Sequence, residues 1–463
     1  MPSSLATVLT FAFVFFMMRR ETKGEEEVSP ALWLPVIWLS ISGSRYLSQW
    51  LALGQPDVTG NVTDGSPLDA TFFSCLICAG GCVLLRRHLA IGSLVRENAW
   101  VFAFIALGLA SVLWSDFPFI ALKRWIKTLG HPIMALIILT DPRPLRALQI
   151  VLKRCAFLLL PFSVLFIKYL PQYGRGYDAF TGEPMEIGVG LTKNDLGYVS
   201  MAMSIFFAWS LLQARKLADR RQRREEMLVC VVFLCMALWL LVRSNSATSL
   251  VTMILGVTVI LLLGTRLINK RRIGVYVVVG ILFGCALQAL FDIYSEVITA
   301  LGRDLSLTDR TEVWADVIEL QDRPLIGAGF ESFWLGQRLD VMWAKWWWRP
   351  NQAHNGYLET YLHMGLIGVT CLVAMIISTF RKISKRLIDD FELARFRLAL
   401  LLVIVVFNYT EAGFKALHFM WTLFYMIALE YTKPQQTKVA GRHGMVPRPM
   451  ASAAPSQSRR HIT

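Results

Sequence analysis

The chain has 463 residues, of which 55% are hydrophobic and 17% charged, and its mean hydropathy is +0.49. No single soluble core of this length hides so much apolar surface, so lipid is part of its solvent. The net charge of +14 does not imply nucleic-acid binding, because Lys and Arg fall in alternate loops rather than on one face among stacking aromatics.

In chain order, apolar runs lie near residues 5–18, 31–44, 70–85, 100–114, 117–139, 155–170, 196–212, 227–242, 247–264, 273–291, 357–380, 398–408 and 419–431. Most are long enough to cross roughly 30 Å of hydrocarbon, and lipid leaves helices as the way to satisfy every backbone group. The expected fold is all-α, a polytopic transmembrane helical bundle of about 12–13 spans over residues 1–432. Within it, residues 292–356 form one large extracytoplasmic loop with short helices, and residues 433–463 form a basic tail, expected to be cytoplasmic and disordered. The eight cysteines lie in or beside apolar runs, and the Cys75/Cys78 pair has no second pair to complete a zinc site, so helix packing is expected. The first run has neither basic residues before it nor a small-residue cleavage site, which argues against a cleaved signal peptide.

Arg86 with Arg87, Arg143 with Arg154, residues 215–224, 266–272 and 381–386, and the tail beyond Lys433 occupy every second gap. The positive-inside rule makes those gaps cytoplasmic. The complementary gaps, residues 55–69, 171–195, the turn at Ser244 and 292–356, then face outward. The fifth run carries Lys123, Arg124, Lys127 and His131, charges that face either a wet cavity for an anionic ligand or the headgroups to which they snorkel. Arg243 among the hydroxyls of Ser244, Ser246 and Thr248 suits a phosphate. Arg175, Lys193 and Asn194 add polar groups to the second outward gap, and Asn408 and Glu411 sit at the outer edge of the penultimate span.

In the large loop, Asp309 is a candidate cap for a helix with Glu312 in its first turn, ended by Pro324, Gly327 and Gly329. Val313, Trp314, Val317 and Ile318 form its apolar stripe. Arg310 either shares that stripe and points into a cavity or pairs locally with Glu312 or Asp316. Trp343, Trp346, Trp347 and Trp348 read as an interfacial belt, with sugar stacking as a second use. His354 is the one histidine of seven in an outward gap; it is the acid-base candidate, or else a hydrogen-bonding residue at the start of the next helix. The sequence has no Walker loop, no GxGxxG with a following acidic residue, no HExxH and no DxD-like pair in the outward loops, so neither nucleotide hydrolysis nor an obligatory metal or other cofactor is expected.

These residues resemble the O-antigen ligase and O-antigen polymerase family, most closely its exopolysaccharide-polymerase branch. The resemblance rests on Trp114-Ser115-Asp116-Phe117-Pro118, Thr192-Lys193-Asn194-Asp195, Ser244-Asn245-Ser246-Ala247-Thr248, Leu307-Thr308-Asp309-Arg310-Thr311 through Trp314, Pro324-Leu325-Ile326-Gly327-Ala328-Gly329, and His354-Asn355-Gly356-Tyr357-Leu358. It implies an inverting, metal-independent glycosyltransferase of the inner membrane with its site facing the periplasm. It implies an undecaprenyl-diphosphate-linked oligosaccharide as donor, a saccharide acceptor, and contacts with polysaccharide assembly proteins. By position, Arg310 binds the diphosphate and His354 serves the acceptor hydroxyl. Arg243, Arg124, Lys127, Arg175, Lys193, Asn194, Asn355 and Glu411 are the candidate substrate-binding set. Many relatives have Ser-Arg-Gly where this chain has Ser244-Asn245-Ser246, so Arg243 or Arg124 stands in for the second arginine. A ligase acting on a lipid A core, a flippase of lipid-linked saccharides and a non-catalytic assembly scaffold are the competing expectations.

Overall fold

Several helices of this chain start on side chains that accept backbone N–H groups. Thr192 Oγ1 accepts from Asp195 N at 3.1 Å and Asp195 returns the bond to Thr192 N at 2.9 Å, a reciprocal cap. Asn355 Oδ1 accepts from Tyr357 N and Leu358 N, both at 3.0 Å. Each satisfies donors that the first helical turn leaves orphaned.

The computed structural model describes residues 1–22, 29–53, 65–178, 182–291 and 310–432. Helices in the first part are α1 (Ser3–Thr22), α2 (Trp33–Ser42), α3 (Leu47–Leu51), α4 (Pro67–Arg86), α5 (Ile91–Glu97), α6 (Ala99–Ala110), α7 (Pro118–Thr128), α8 (Gly130–Leu139), α9 (Pro144–Tyr169) and α10 (Pro171–Gly174). A two-stranded antiparallel hairpin, β1 (Arg175–Tyr177) with β2 (Pro184–Glu186), follows in the register Arg175 opposite Glu186. Then come α11 (Lys193–Ala214), α12 (Arg220–Arg243), α13 (Ala247–Leu263), α14 (Ile273–Phe291), α15 (Arg310–Glu319), α16 (Gln337–Lys345), α17 (Gly356–Asp389), α18 (Phe391–Thr410) and α19 (Phe419–Ala428). The chain is an all-α, multi-pass membrane protein apart from that hairpin.

Among the described residues, six helices are long and apolar enough to cross a membrane, or seven if the pair α5 and α6, bent by 94°, counts as one. The higher number expected from the sequence came from apolar runs that the structure uses as shorter helices, such as α8 and α19. One expected span, residues 117–139, is cut at Leu129 into α7 and α8. Pro132 is the cause: it has no N–H for the Thr128 carbonyl, and its ring crowds that turn.

α9 is largely buried and has α1, α2 and α12 packed against it, while α11 lies along α12 and α13 along α18. Gly130 lets the Trp38 ring through, since a Cβ there would lie 1.9 Å from Cη2 of the indole. Thr422 Oγ1 takes Trp38 Nε1 at 3.1 Å and His131 Nδ1 at 2.7 Å, while His131 Nε2 accepts from Leu417 N at 3.1 Å. His131 is fully buried and accepts at Nε2, so it donates at Nδ1 and serves packing rather than the cationic face expected of it. The lipid-side surface of α4 leaves Cys75 and Cys78 exposed, which corrects the expectation that they pack between helices.

The loop between α14 and α17 has a core of its own. Val313, Val317, Phe333, Trp334, Leu339, Met342 and Trp346 pack together, but Ile318, expected in the same stripe, is 51% exposed. Trp346 is a core residue bonded to Asp316 at 2.8 Å, and Trp343 donates to the Pro350 carbonyl at 3.0 Å. Both depart from the expected belt, and Trp347 is the exposed member. The expected cap Asp309, residues 292–309 and the tail 433–463 lie outside the described residues.

Two quoted motifs dock this loop. Arg323 Nη1 reaches the Trp114 carbonyl at 2.8 Å, Trp114 Nε1 reaches the Ile326 carbonyl at 3.0 Å, and Asp116 receives Arg323 at 3.2 Å and Arg338 at 2.8 Å. α17 breaks at Gly365 (φ 64°, ψ −164°), a backbone conformation open essentially to glycine. The Pro324–Gly329 stretch enters the break: Ala328 N bonds Leu362 O at 3.0 Å, Gly329 N bonds His363 O at 2.9 Å, and Leu366 N bonds Pro324 O at 2.9 Å. A Cβ on Gly365 would fall 2.2 Å from the Leu325 carbonyl carbon, and backbone cannot yield cheaply. Gly365→Ala is therefore expected to cost roughly 2–4 kcal/mol, seen as a lower thermal midpoint of the detergent-solubilised protein.

Candidate active site

His354 sits in the left-handed region at φ 50°, uncommon for a residue with a Cβ and maintained here by bonds on either side. The Ala353 carbonyl accepts from Trp314 Nε1 at 2.6 Å, and Ala353 N donates to the Glu359 carboxylate. Glu359 is itself fixed by Trp334 Nε1, 3.1 Å from both its oxygens, and by His363 Nε2 at 3.0 Å. Asn355 follows as the cap of α17. The loop core and the first turn of α17 thus clamp the backbone that carries the imidazole.

Glu411, just past α18, is the hub. Its Oε2 lies 3.5 Å from His354 Nδ1. Its Oε1 lies 2.9 Å from Asn194 Nδ2 and 3.5 Å from Arg310 Nη2, and its carbonyl accepts from Gly356 N at 3.0 Å. Arg310 also donates to the Thr410 carbonyl, so it reaches across to α18 instead of pairing with Glu312 or Asp316. Thr410 Oγ1 meets Thr248 Oγ1 at 2.9 Å, which ties the Ser244–Thr248 turn to the same place. Burial raises the Glu411 pKa, but the His354 hydrogen bond and the Arg310 charge outweigh it and hold the carboxyl below the ordinary carboxylate range.

On the other side of the imidazole, Gln352 Nε2 lies 3.4 Å from His354 Nε2, and Gln352 Oε1 accepts from Lys415 Nζ at 2.6 Å. A lysine ammonium only donates, which fixes the amide orientation and turns its NH₂ toward the ring. His354 Nε2 therefore presents a lone pair, and Nδ1–H faces Glu411. Sequence reasoning missed Lys415 and Gln352. Gln352 is two residues before His354, and Lys415 is four after Glu411, the signals that could have found them.

Among the described residues, no hydrogen bond or ion pair brings the remaining candidates onto Glu411. Arg243 forms a two-bond ion pair with Glu186 on β2, Lys193 pairs with Asp178 at 2.7 Å, and Arg124 donates to the Glu331 carbonyl. Glu331 also accepts Ala416 N at 2.6 Å, which places Arg124 one step from Lys415. Lys127 is half-buried, with Arg124, Glu331 and Asp69 as charged neighbours and no ion pair within 4 Å among the described residues. Arg175 is exposed on β1.

Residues 228–373 match the family model described as O-Antigen ligase. The chain is also 27% identical over 308 residues to the exopolysaccharide production protein ExoQ of Rhizobium meliloti (strain 1021), an alignment covering 63% of this chain and 66% of that protein. Over these stretches the chain is similar to O-antigen ligases and to that exopolysaccharide production protein. It spans just under two thirds of the length of that curated relative. The segment that matches the family model runs from α12 into α17. It contains Arg243, Arg310, His354 and Asn355 and leaves Asn194, Glu411 and Lys415 outside.

Proposed function

We propose that the protein is an inverting, metal-independent glycosyltransferase that lengthens lipid-diphosphate-linked oligosaccharides at the periplasmic face of the inner membrane. The observation that carries this reading is the meeting of Arg310 and His354 on the one carboxylate of Glu411. The acceptor is a second lipid-linked saccharide, in keeping with the exopolysaccharide production named for its relative.

The donor carries its own leaving group, so the protein has to position it and stabilise charge that grows on the diphosphate. The acceptor hydroxyl takes the place of the Gln352 amide at His354 Nε2. As its oxygen forms a bond to the anomeric carbon, its proton passes to Nε2 and the carbon–oxygen bond to the diphosphate breaks, the electron pair leaving with the phosphate. Glu411 stabilises the imidazolium that forms. Arg310 faces the departing anion, with Lys127 and Lys415 as further cations.

The test uses purified protein in liposomes with an undecaprenyl-diphosphate-linked oligosaccharide, EDTA and no nucleotide. The expected result is longer saccharide on lipid with one undecaprenyl diphosphate released per bond formed. Movement of the lipid across the bilayer without lengthening would replace this reading with a flippase.

A further inference from the structure

At the opposite end of the bundle from His354, a groove of about 860 Å³ is lined by Phe16 and Arg19 of α1 and by Arg221, Glu225, Leu228 and Val232 of α12. α1 and α12 both pack on α9, and two contacts join them to each other. Phe13 stacks on Phe233 at 5.9 Å between ring centres, and Arg20 pairs with Glu226 at 2.8 Å. The groove therefore has a closed aromatic end and a cationic mouth.

We propose that this groove binds one anionic diacyl phospholipid from the leaflet at the basic face, its phosphate at the arginine mouth and its acyl chains along α1 and α12. The proposal does not depend on the transfer chemistry.

Three features select that occupant. The first is charge: three guanidiniums line the mouth, with Glu225 and Glu226 beside them as the partners of Arg221 and Arg20. Arg221 gives only its Nε to Glu225, in a pair whose side chains are 89% and 51% exposed, so the terminal nitrogens remain available to a phosphate. The second is length. Twelve residue steps separate Arg221 from Phe233, a rise of roughly 18 Å in a helix, against about 15 Å for half of a bilayer core. The groove is one leaflet deep, too short for a long polyprenyl chain laid straight.

The third is the wall. Phe16, Leu228 and Val232 are 63%, 65% and 40% exposed and form an apolar channel that leads away from the mouth. A soluble anion has no use for such a channel, whereas acyl chains fill it. Basic pockets between membrane helices at the positively charged face are a recurrent setting for anionic headgroups.

The experiment is native mass spectrometry of the full-length protein, stripped of lipid in detergent and titrated with phosphatidylglycerol or phosphatidylcholine of matched chains. One phosphatidylglycerol is expected to be retained with an apparent Kd at least tenfold lower than for phosphatidylcholine. The variant R221Q should raise the phosphatidylglycerol Kd about tenfold and leave phosphatidylcholine unchanged. V232W, which fills the channel from an exposed position, should weaken both. Equal retention of the two lipids, or an unchanged R221Q variant, would overturn the proposal. So would competition by glycerol phosphate as effective as that by the intact lipid, since it would show an anion site without acyl occupancy.

Discussion

Replacing His354 with alanine is expected to slow sugar transfer by roughly 10²–10⁴-fold, the usual contribution of a positioned general base, with normal abundance in the membrane. Among the described residues the imidazole makes two long contacts, 3.5 Å to Glu411 and 3.4 Å to Gln352, and its side chain is 24% exposed. Little folding energy depends on it. The backbone around it is fixed by neighbours, Trp314 on the Ala353 carbonyl and Asn355 at the start of α17, and an alanine leaves those bonds in place. Long bonds of this kind are what an unliganded catalytic site shows before substrate draws it together. Transfer rate with a lipid-linked donor and membrane abundance by immunoblot are the two readouts. Normal abundance with undiminished polymer would remove His354 from the chemistry.

Apolar helices are legible in the sequence because their signal is local. The starts of α11, α13, α14, α17 and α19 lie within three residues of the apolar runs that predict them. What a run cannot show is a helix that stops inside it, as at Leu129, where Pro132 acts through the preceding turn. The loop between α14 and α17 was harder, because its tryptophans serve two masters. The same residue type that anchors at an interface also fills a small core, and only the contacts of Trp346 with Asp316 decide.

At the site, Arg310 and His354 are identifiable as polar residues in an outward gap, and Glu411 as one at the outer edge of the penultimate span. Their convergence is not, since Glu411 lies 57 residues from His354 and Asn194 lies 217 from Glu411. Spacing finds an arginine but not its partner, and Arg243 turns out to face Glu186, a residue whose hairpin carried no strand signal. The WSDFP and PLIGAG motifs, which the family resemblance carries, hold the loop in place through Asp116 and Gly365 and so support the site without touching it.

Glu411→Gln is expected to lower transfer by about 10³–10⁴-fold in a protein that still folds. A glutamine keeps an oxygen for Asn194 Nδ2 and for Arg310, so the hub retains its shape. Its amide NH₂ then faces His354 Nδ1, which has to accept, and the proton moves to Nε2, the nitrogen that should take the acceptor hydroxyl's proton. A misassigned tautomer of this kind in a hydrogen-bonded acid–base unit costs about 10⁴ in the well-studied hydrolase triad. Glu411→Ala is a different experiment. It leaves the Arg310 side chain, 16% exposed, without its counter-ion, at about 2–3 kcal/mol, below the ~3–5 kcal/mol of fully buried pairs because water still reaches this one.

The pH dependence separates the two roles of the carboxylate. Its folded pKa is held below the ordinary value of 4.5, so the unfolded chain takes up the proton first. The stabilisation is complete above pH of about 4.5 and is lost as pH falls through the lower folded value. Thermal midpoints measured from pH 7 downward should fall more steeply for the wild type than for Glu411→Gln, which has no proton to bind there. Parallel curves would mean that the carboxylate is not held ionised by Arg310 and His354, and a Glu411→Gln variant with the wild-type transfer rate would take it out of the mechanism.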